Sequence, residues 1–183
     1  MFRYYKGFIS RLLLHIKYSI IRKIAIYRGA KIGNTSIIPY KLAVKANSNL
    51  VVGNDVIIES TKLDLRDKII INDHVIVNKE VSIIRVSHSI DNDTFFSTKY
   101  YSPLVIHSYS WLATGCKILP SVQNISKGSI ISAFSILVKD TEECGVYSGS
   151  PAILKRKHDT MFTDLIVVSL MGGDFLFYKK SRL

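Results

Sequence analysis

From Val105 onward one aliphatic residue recurs every six positions, a spacing that few folds can use. Ile106, Leu112 and Ile118 are spaced by six, and so are Ile125, Ile131 and Leu137, after a slip of one residue. Small or polar residues fill most positions between them. A helix repeats its faces every 3.6 residues and an alternating strand every two, so neither accounts for the pattern. A six-residue step fits a short flat strand followed by a tight turn. Three such steps close one triangular coil, and stacked coils bury a column of Ile, Leu and Val. The expected class is an all-β solenoid.

The period extends upstream. Ile32 and Ile38 form one pair, Val52 and Ile58 another, and Leu65, Ile71, Val77 and Ile83 a continuous series. GNTS, GNDV and NDHV mark turns, because Gly, Asn and Asp tolerate tight corners. Residues 39–50 are irregular and read as a distorted coil. The period stops over 87–104, where SHSIDNDTFFSTKYYSPL reads as a loop leaving the scaffold, the usual place for a site. Three regions follow: a basic amphipathic helix in 1–31, the solenoid in 32–157 with its loop excursion, and a C-terminal helix and basic tail in 158–183. The tail helix should break at Gly172–Gly173.

Residues 4–28 place Ile9, Leu12, Leu13, Ile16, Ile20 and Ile24 along one broad helical face. Arg11, Lys17, Arg22 and Lys23 interrupt the run too often for a bilayer span, which needs roughly 20 mostly apolar residues. Two readings stand: packing against the solenoid end or a neighbouring subunit, or resting on anionic lipid as an interfacial helix. The net charge is +11, and the stretch before Asp55 holds ten Lys and Arg and no acidic residue. A basic surface at one end suits anionic lipid, an acidic glycan or a cofactor phosphate. Nucleic acid is not expected, because no recognition motif accompanies the charge. Two cysteines make no disulfide framework, and Cys116 stands where the repeat needs a small core residue. The apolar start lacks a small-residue cleavage site, which with the cysteines suggests a cytoplasmic protein, with the inner membrane as a peripheral contact.

WLATGCKILPSV, SIISAFSILVKD and YSGSPAILKRK, in that order, resemble the closing coils of hexapeptide-repeat acyltransferases. The nearest group is the sugar and polysaccharide O-acetyltransferases, similar to the galactoside and maltose enzymes, and the resemblance runs from about Ile32 to Lys157. It implies a left-handed parallel β-helix, a homotrimer, acetyl-CoA as acyl donor and no metal. It also implies a saccharide acceptor, such as a bacterial surface-polysaccharide precursor. His88 matches the catalytic histidine, expected to act as general base on the acceptor hydroxyl. Asp91 in the same loop and Glu59 one to two coils earlier are the acidic candidates for orienting it or binding the acceptor; solvated turn residues are the plain alternative. By position the donor groove would use Trp111, Thr114, Ala133 and Ser135, with Lys139 and Arg156 near the nucleotide phosphates.

Some residues depart from the family pattern. GAGS reads Ser132-Ala133-Phe134-Ser135, LPGV reads LPSV, and GNPA reads GSPA. A ring at Phe134 could narrow the groove, alter the acyl group it takes, or face outward. Loop residues Phe95, Phe96, Tyr100 and Tyr101 are candidates for stacking on a sugar. N-acetyl transfer to an amino sugar or amino acid fits the same base, and a non-catalytic trimeric scaffold fits the repeat alone. A metal-dependent hydratase does not fit, because His74, His88 and His107 lack the paired spacing it needs.

Overall fold

A computed structural model describes residues 2–88, 99–159, 163 and 165–180 as a parallel β-solenoid of about six turns between N- and C-terminal helices. The first sheet stacks Lys31–Ile32, Leu50–Val52, Ile69–Ile71, Leu104–Ile106 and Asn124–Ile125. The second stacks Ile57–Ile58, Ile76–Val77, Trp111–Leu112, Ile130–Ile131 and Gly145–Gly149. The third stacks Lys62–Leu63, Ser82–Ile83, Lys117–Ile118 and Ile136–Leu137. Within these stacks every pairing is parallel. The final strand, Ala152–Lys157, returns antiparallel on Gly145–Gly149.

Inward positions carry the six-residue period. Ile58, Val77, Leu112 and Ile131 line one wall of the core, Ile71, Ile106 and Ile125 a second, and Ile83, Ile118 and Leu137 the third; none exceeds 1% exposure. Cys116 is fully buried among them, and burial pushes its thiol up to about 12. The edge between the first and second sheets turns through left-handed residues at Asp55, His74, Tyr109, Gly128 and Cys144. The edge between the second and third does so at Glu80, Gly115 and Phe134. The αL corner, which side chains other than glycine's adopt at a cost, is what lets a two-residue strand turn so abruptly.

Three expectations shift. The irregular stretch 39–50 forms no coil side before Leu50, which opens the next first-sheet strand: after Pro39 a short helix α2 (Tyr40–Ala43) buries Leu42 and Ala43 where the first turn would need a third-sheet strand. Leu63 supplies the inward residue of the third sheet in the second turn, five residues after Ile58, and Leu65 is buried beyond it. Helix α1 (Phe2–Tyr27) packs through a face that overlaps the expected one only in part, at half-buried Leu12 and at Ile24, which meets the core. Ile21, Ala25 and the Arg22 stem are buried, whereas Ile9, Leu13, Ile16 and Ile20 are 47–61% exposed. The 26-residue helix is longer than the solenoid end it meets, so only its last turns pack there. Arg22 donates to the Ser36 carbonyl at 3.1 Å and to Ser19 Oγ at 2.8 Å.

The C-terminal segment folds back beside α1. A 3₁₀ turn at Val167–Met171 ends at Gly172 in the left-handed region, and α3 (Phe175–Lys180) follows, so the break falls at the glycine pair. Val167 and Val168 pack on the outer side of the second sheet against Ile37 and Ile57. Arg11 pairs with Asp174 at 3.0 Å, and Phe8 meets Phe175 edge-on at 5.3 Å. No helix among the described residues is long and apolar enough to cross a membrane.

Leu112 is fully buried in the middle coil, with strands above and below. Leu112→Ala is expected to cost about 2–5 kcal/mol, read as a lower midpoint in chemical denaturation.

Candidate active site

His88 ends a short strand, Val86–His88, that leaves the solenoid after the third sheet and pairs antiparallel with Lys99–Tyr101, opposite Lys99. It is exposed, as are Tyr100 and Tyr101. Asp91, Phe95 and Phe96 lie outside the described residues. The root of this hairpin is held by Arg85, whose side chain is fully buried. Its guanidinium donates to the carbonyls of Ser102 at 3.1 Å, Val122 at 2.7 Å and Leu119 at 2.5 Å. Burial pulls the Arg85 pKa down to about 10, with Asp64 opposing, so it stays cationic at neutral pH. Its backbone N–H donates to Asp64 Oδ2 at 3.1 Å. One buried cation thus ties both arms of the histidine hairpin to the next coil.

A second group forms where the second sheet turns into the third. Glu59, Asn78 and Trp111 come from three successive coils, which the parallel register brings into line. Asn78 donates to Glu59 Oε2 at 3.0 Å and accepts from Trp111 Nε1 at 2.6 Å. Lys79 Nζ lies 3.9 Å from Glu59 Oε1. Glu59 is therefore already engaged by its own coil edge. Asn78 is the residue the sequence reading missed; the repeat offered one signal, since Asn78 follows Val77 as Glu59 follows Ile58.

Thr114 and Ala133 lie on this same edge, both exposed. Their amide N–H groups have no backbone acceptor among the described residues, whereas those of Gly115 and Phe134 bond to Lys79 O and Thr114 O. Two adjacent coils therefore each carry one such amide on this edge. Ser135 is buried, and its Oγ accepts the Gly149 N–H at 3.1 Å, which binds the last hairpin to the edge. Phe134 faces outward, 76% exposed, with its ring laid over Gly115; a Cβ there would sit 2.7 Å from the ring. Arg156 is exposed on the returning strand and, with Trp111, lines a cavity of about 460 Å³.

Two edges of the prism share the predicted set. Glu59, Thr114, Ala133 and Ser135, with Trp111 beside them, belong to the edge after the second sheet. His88 and Lys139 belong to the edge after the third. In chain order His88 thus follows the third sheet, whereas Thr114 and Ala133 follow the second.

This architecture is the left-handed β-helix of the hexapeptide-repeat acetyltransferases. Galactoside acetyltransferase, in a complex with coenzyme A, superposes with a TM-score of 0.59 at 19% identity, over 83% of this chain and 80% of that one. In sequence, a Saccharomyces cerevisiae protein provisionally named an acetyltransferase is 33% identical over 91 residues, 49% of this chain and 46% of the relative. The galactoside O-acetyltransferase of Lactococcus lactis subsp. lactis is 32% identical over 90 residues, 49% of this chain and 43% of the relative. The matched stretch spans less than half the length of these curated relatives. No protein-family model matches the chain.

Asp64, at the root of the hairpin, is held down at about 2, first by the Arg66 side chain and then by the backbone N–H groups of Arg85 and Arg66, against the cost of its burial. A folded pKa below the usual 3.8 adds stability above that value and loses it as pH falls through about 2. Asp64→Asn should flatten the loss of denaturation midpoint between pH 4 and pH 2.

Proposed function

We propose that this chain is an acetyl-CoA-dependent O-acetyltransferase acting on a sugar hydroxyl, with its sites built between subunits of a homotrimer. One observation carries the reading: His88 and the Thr114 and Ala133 amides follow different sheets of a three-sided prism. On a fold shared with a coenzyme A-binding acetyltransferase, a three-fold assembly can bring the His88 edge of one copy to the Thr114–Ala133 edge of the next.

The chemistry then runs as follows. Acetyl-CoA lies along the groove, its pantetheine amides meeting the Thr114 and Ala133 N–H groups, with Arg156 and Lys139 toward its phosphates. His88 takes the proton of the acceptor hydroxyl, and that oxygen attacks the thioester carbonyl. The C–O ester bond forms, the C–S bond breaks, and coenzyme A leaves as a thiolate that recovers the proton from the imidazolium. Glu59 and Asn78 sit where acceptor hydroxyls would be held; Asp91 is proposed to orient His88. Galactoside acetylation by a named relative supports a saccharide acceptor. A surface-polysaccharide precursor is our choice within that class.

The exposed stripe Ile9, Leu13, Ile16 and Ile20 is flanked by exposed Lys17, Lys23 and Arg28. It supports a peripheral contact of α1 with anionic lipid at the cytoplasmic face, where such precursors are assembled.

Two experiments follow. His88→Ala and Ala133→Glu should each abolish acetyl transfer to methyl galactoside. Mixed and reassembled, they should recover about a quarter of wild-type activity, the share of sites with a sound histidine on one side and a sound groove on the other. No recovery would rule out sites shared between subunits, and an active His88→Ala would remove the base. In flotation, the protein should rise with phosphatidylglycerol vesicles and Leu13→Glu should not. A wild type that stays at the bottom removes the lipid contact.

A further inference from the structure

The outer side of a solenoid sheet ordinarily meets water, and on the first and third sheets of this chain it mixes Lys31, Asn124, Lys62, Ser82 and Lys117 with the aliphatic Val51, Ile70, Val105 and Ile136. The second sheet differs. Its outward residues, paired coil on coil, are Ile57, Ile76, Trp111, Ile130 and Val146. The C-terminal turn covers the Ile57 end, where Val167 and Val168 are buried. Beyond it the row continues as one wall of the cavity of about 460 Å³, with Leu165 and Leu170 of the C-terminal segment opposite. That volume lies within the range of about 300–1,000 Å³ usual for small-ligand sites. The row from Ile76 through Trp111 to Ile130 spans three strands, about 10 Å along the axis at ~4.8 Å per strand.

Its polar groups sit at the sides and are basic or neutral. Arg156 and His158 come from the returning strand and the residue after it. His74 stacks on Tyr109 at 4.9 Å between ring centroids, and Lys127 Nζ lies 5.8 Å from the same Tyr109 ring. No carboxylate is among the described residues that line the cavity. Asp55, beneath it, is committed to holding the C-terminal segment in place. Its Oδ2 accepts from Val167 N at 2.8 Å and pairs with His74 Nδ1 at 2.9 Å, and its Oδ1 accepts from Val168 N at 3.0 Å.

We propose that this trench binds a single aliphatic chain ending in an anionic group, a long-chain carboxylate or a prenyl phosphate. The chain would lie along Ile76, Trp111 and Ile130 under Leu165 and Leu170, and its head group would meet Arg156. Apolar walls supply the affinity through burial, and the cationic side selects the charged end. The site adjoins the proposed donor groove at Trp111 and Arg156, but it does not depend on the acetyl-transfer reading.

The test is a titration of the full chain with cis-parinaric acid, whose fluorescence rises in an apolar site. Wild type should bind it saturably. Leu170→Glu, at a position 61% exposed and so safe for the fold, should weaken binding about tenfold or more. Ile130→Glu should do the same, and Arg156→Gln should weaken the carboxylate while leaving dodecanol, which has no charge, unaffected. Circular dichroism and acetyl-CoA calorimetry on each variant report folding and the donor site separately. Displacement by dodecanoate or by farnesyl phosphate supports the site, and the tighter of the two names its source. The proposal falls if wild type does not bind the probe, if Leu170→Glu binds it equally well, or if neither competitor displaces it. It also falls if saturating acetyl-CoA competes the probe away from Arg156→Gln, in which the two ligands no longer share a cation, because the trench would then be part of the donor groove.

Discussion

Each inward aliphatic residue packs on the equivalent residue one coil above and one below: Ile58 on Val77 on Leu112 on Ile131 along the second sheet. Close packing of these columns leaves no room for a coil to slip, since a shift of one residue along a strand would turn the buried set outward. Everything on the outside inherits that register. Glu59, Asn78 and Trp111 are far apart in sequence and meet because the residues beside them are stacked. The same stacking aligns the αL corners, so Gly115 lies where the Phe134 ring crosses from the coil above.

Much of this was legible from residue spacing. Six-residue steps marked most inward positions, the loss of period over 87–104 marked the hairpin that carries His88, and Gly172–Gly173 marked the break between the last two helical turns. Spacing failed where the local pattern competed with a tertiary partner. Helix α1 shows a broad apolar face, yet burial chose Ile21 and Ala25, because only the last turns of the helix reach the solenoid. Residues 39–50 carried no hexad because a helical turn after Pro39 fills that side. Arg85 reads in sequence as one charge in a strand; that it clasps three carbonyls over the next 37 positions depends on where the following coil lies. Asp55 likewise looked like a turn residue, and its partners at 167 and 168 are more than a hundred residues away.

Asp55 and Arg85 share one logic. Each is a buried charge whose backbone partners tie the repeat to a segment outside it: Asp55 through the N–H groups of Val167 and Val168, and Arg85 through Ser102 O on the hairpin and Leu119 O and Val122 O on the next coil. Arg85 holds the base of the histidine hairpin and Asp55 the C-terminal turn. The apolar columns are generic along the axis and say nothing about where an excursion should dock. A single buried charge with fixed hydrogen-bond directions does say so, because leaving it unpaired costs far more than misplacing a methyl group.

The returning strand Ala152–Lys157 has a consequence for assembly. A stack of parallel strands ends in a row of open backbone groups that would accept another stack, and identical solenoids could grow into fibres by that route. Here the last parallel strand is covered by one running the other way, and it carries Lys155, Arg156 and Lys157. Its direction offers the wrong hydrogen-bond pattern to an incoming coil, and its charges repel a second copy of themselves. Helix α1 and the buried turn α2 close the opposite end. Growth of the second sheet along the solenoid axis is thereby disfavoured.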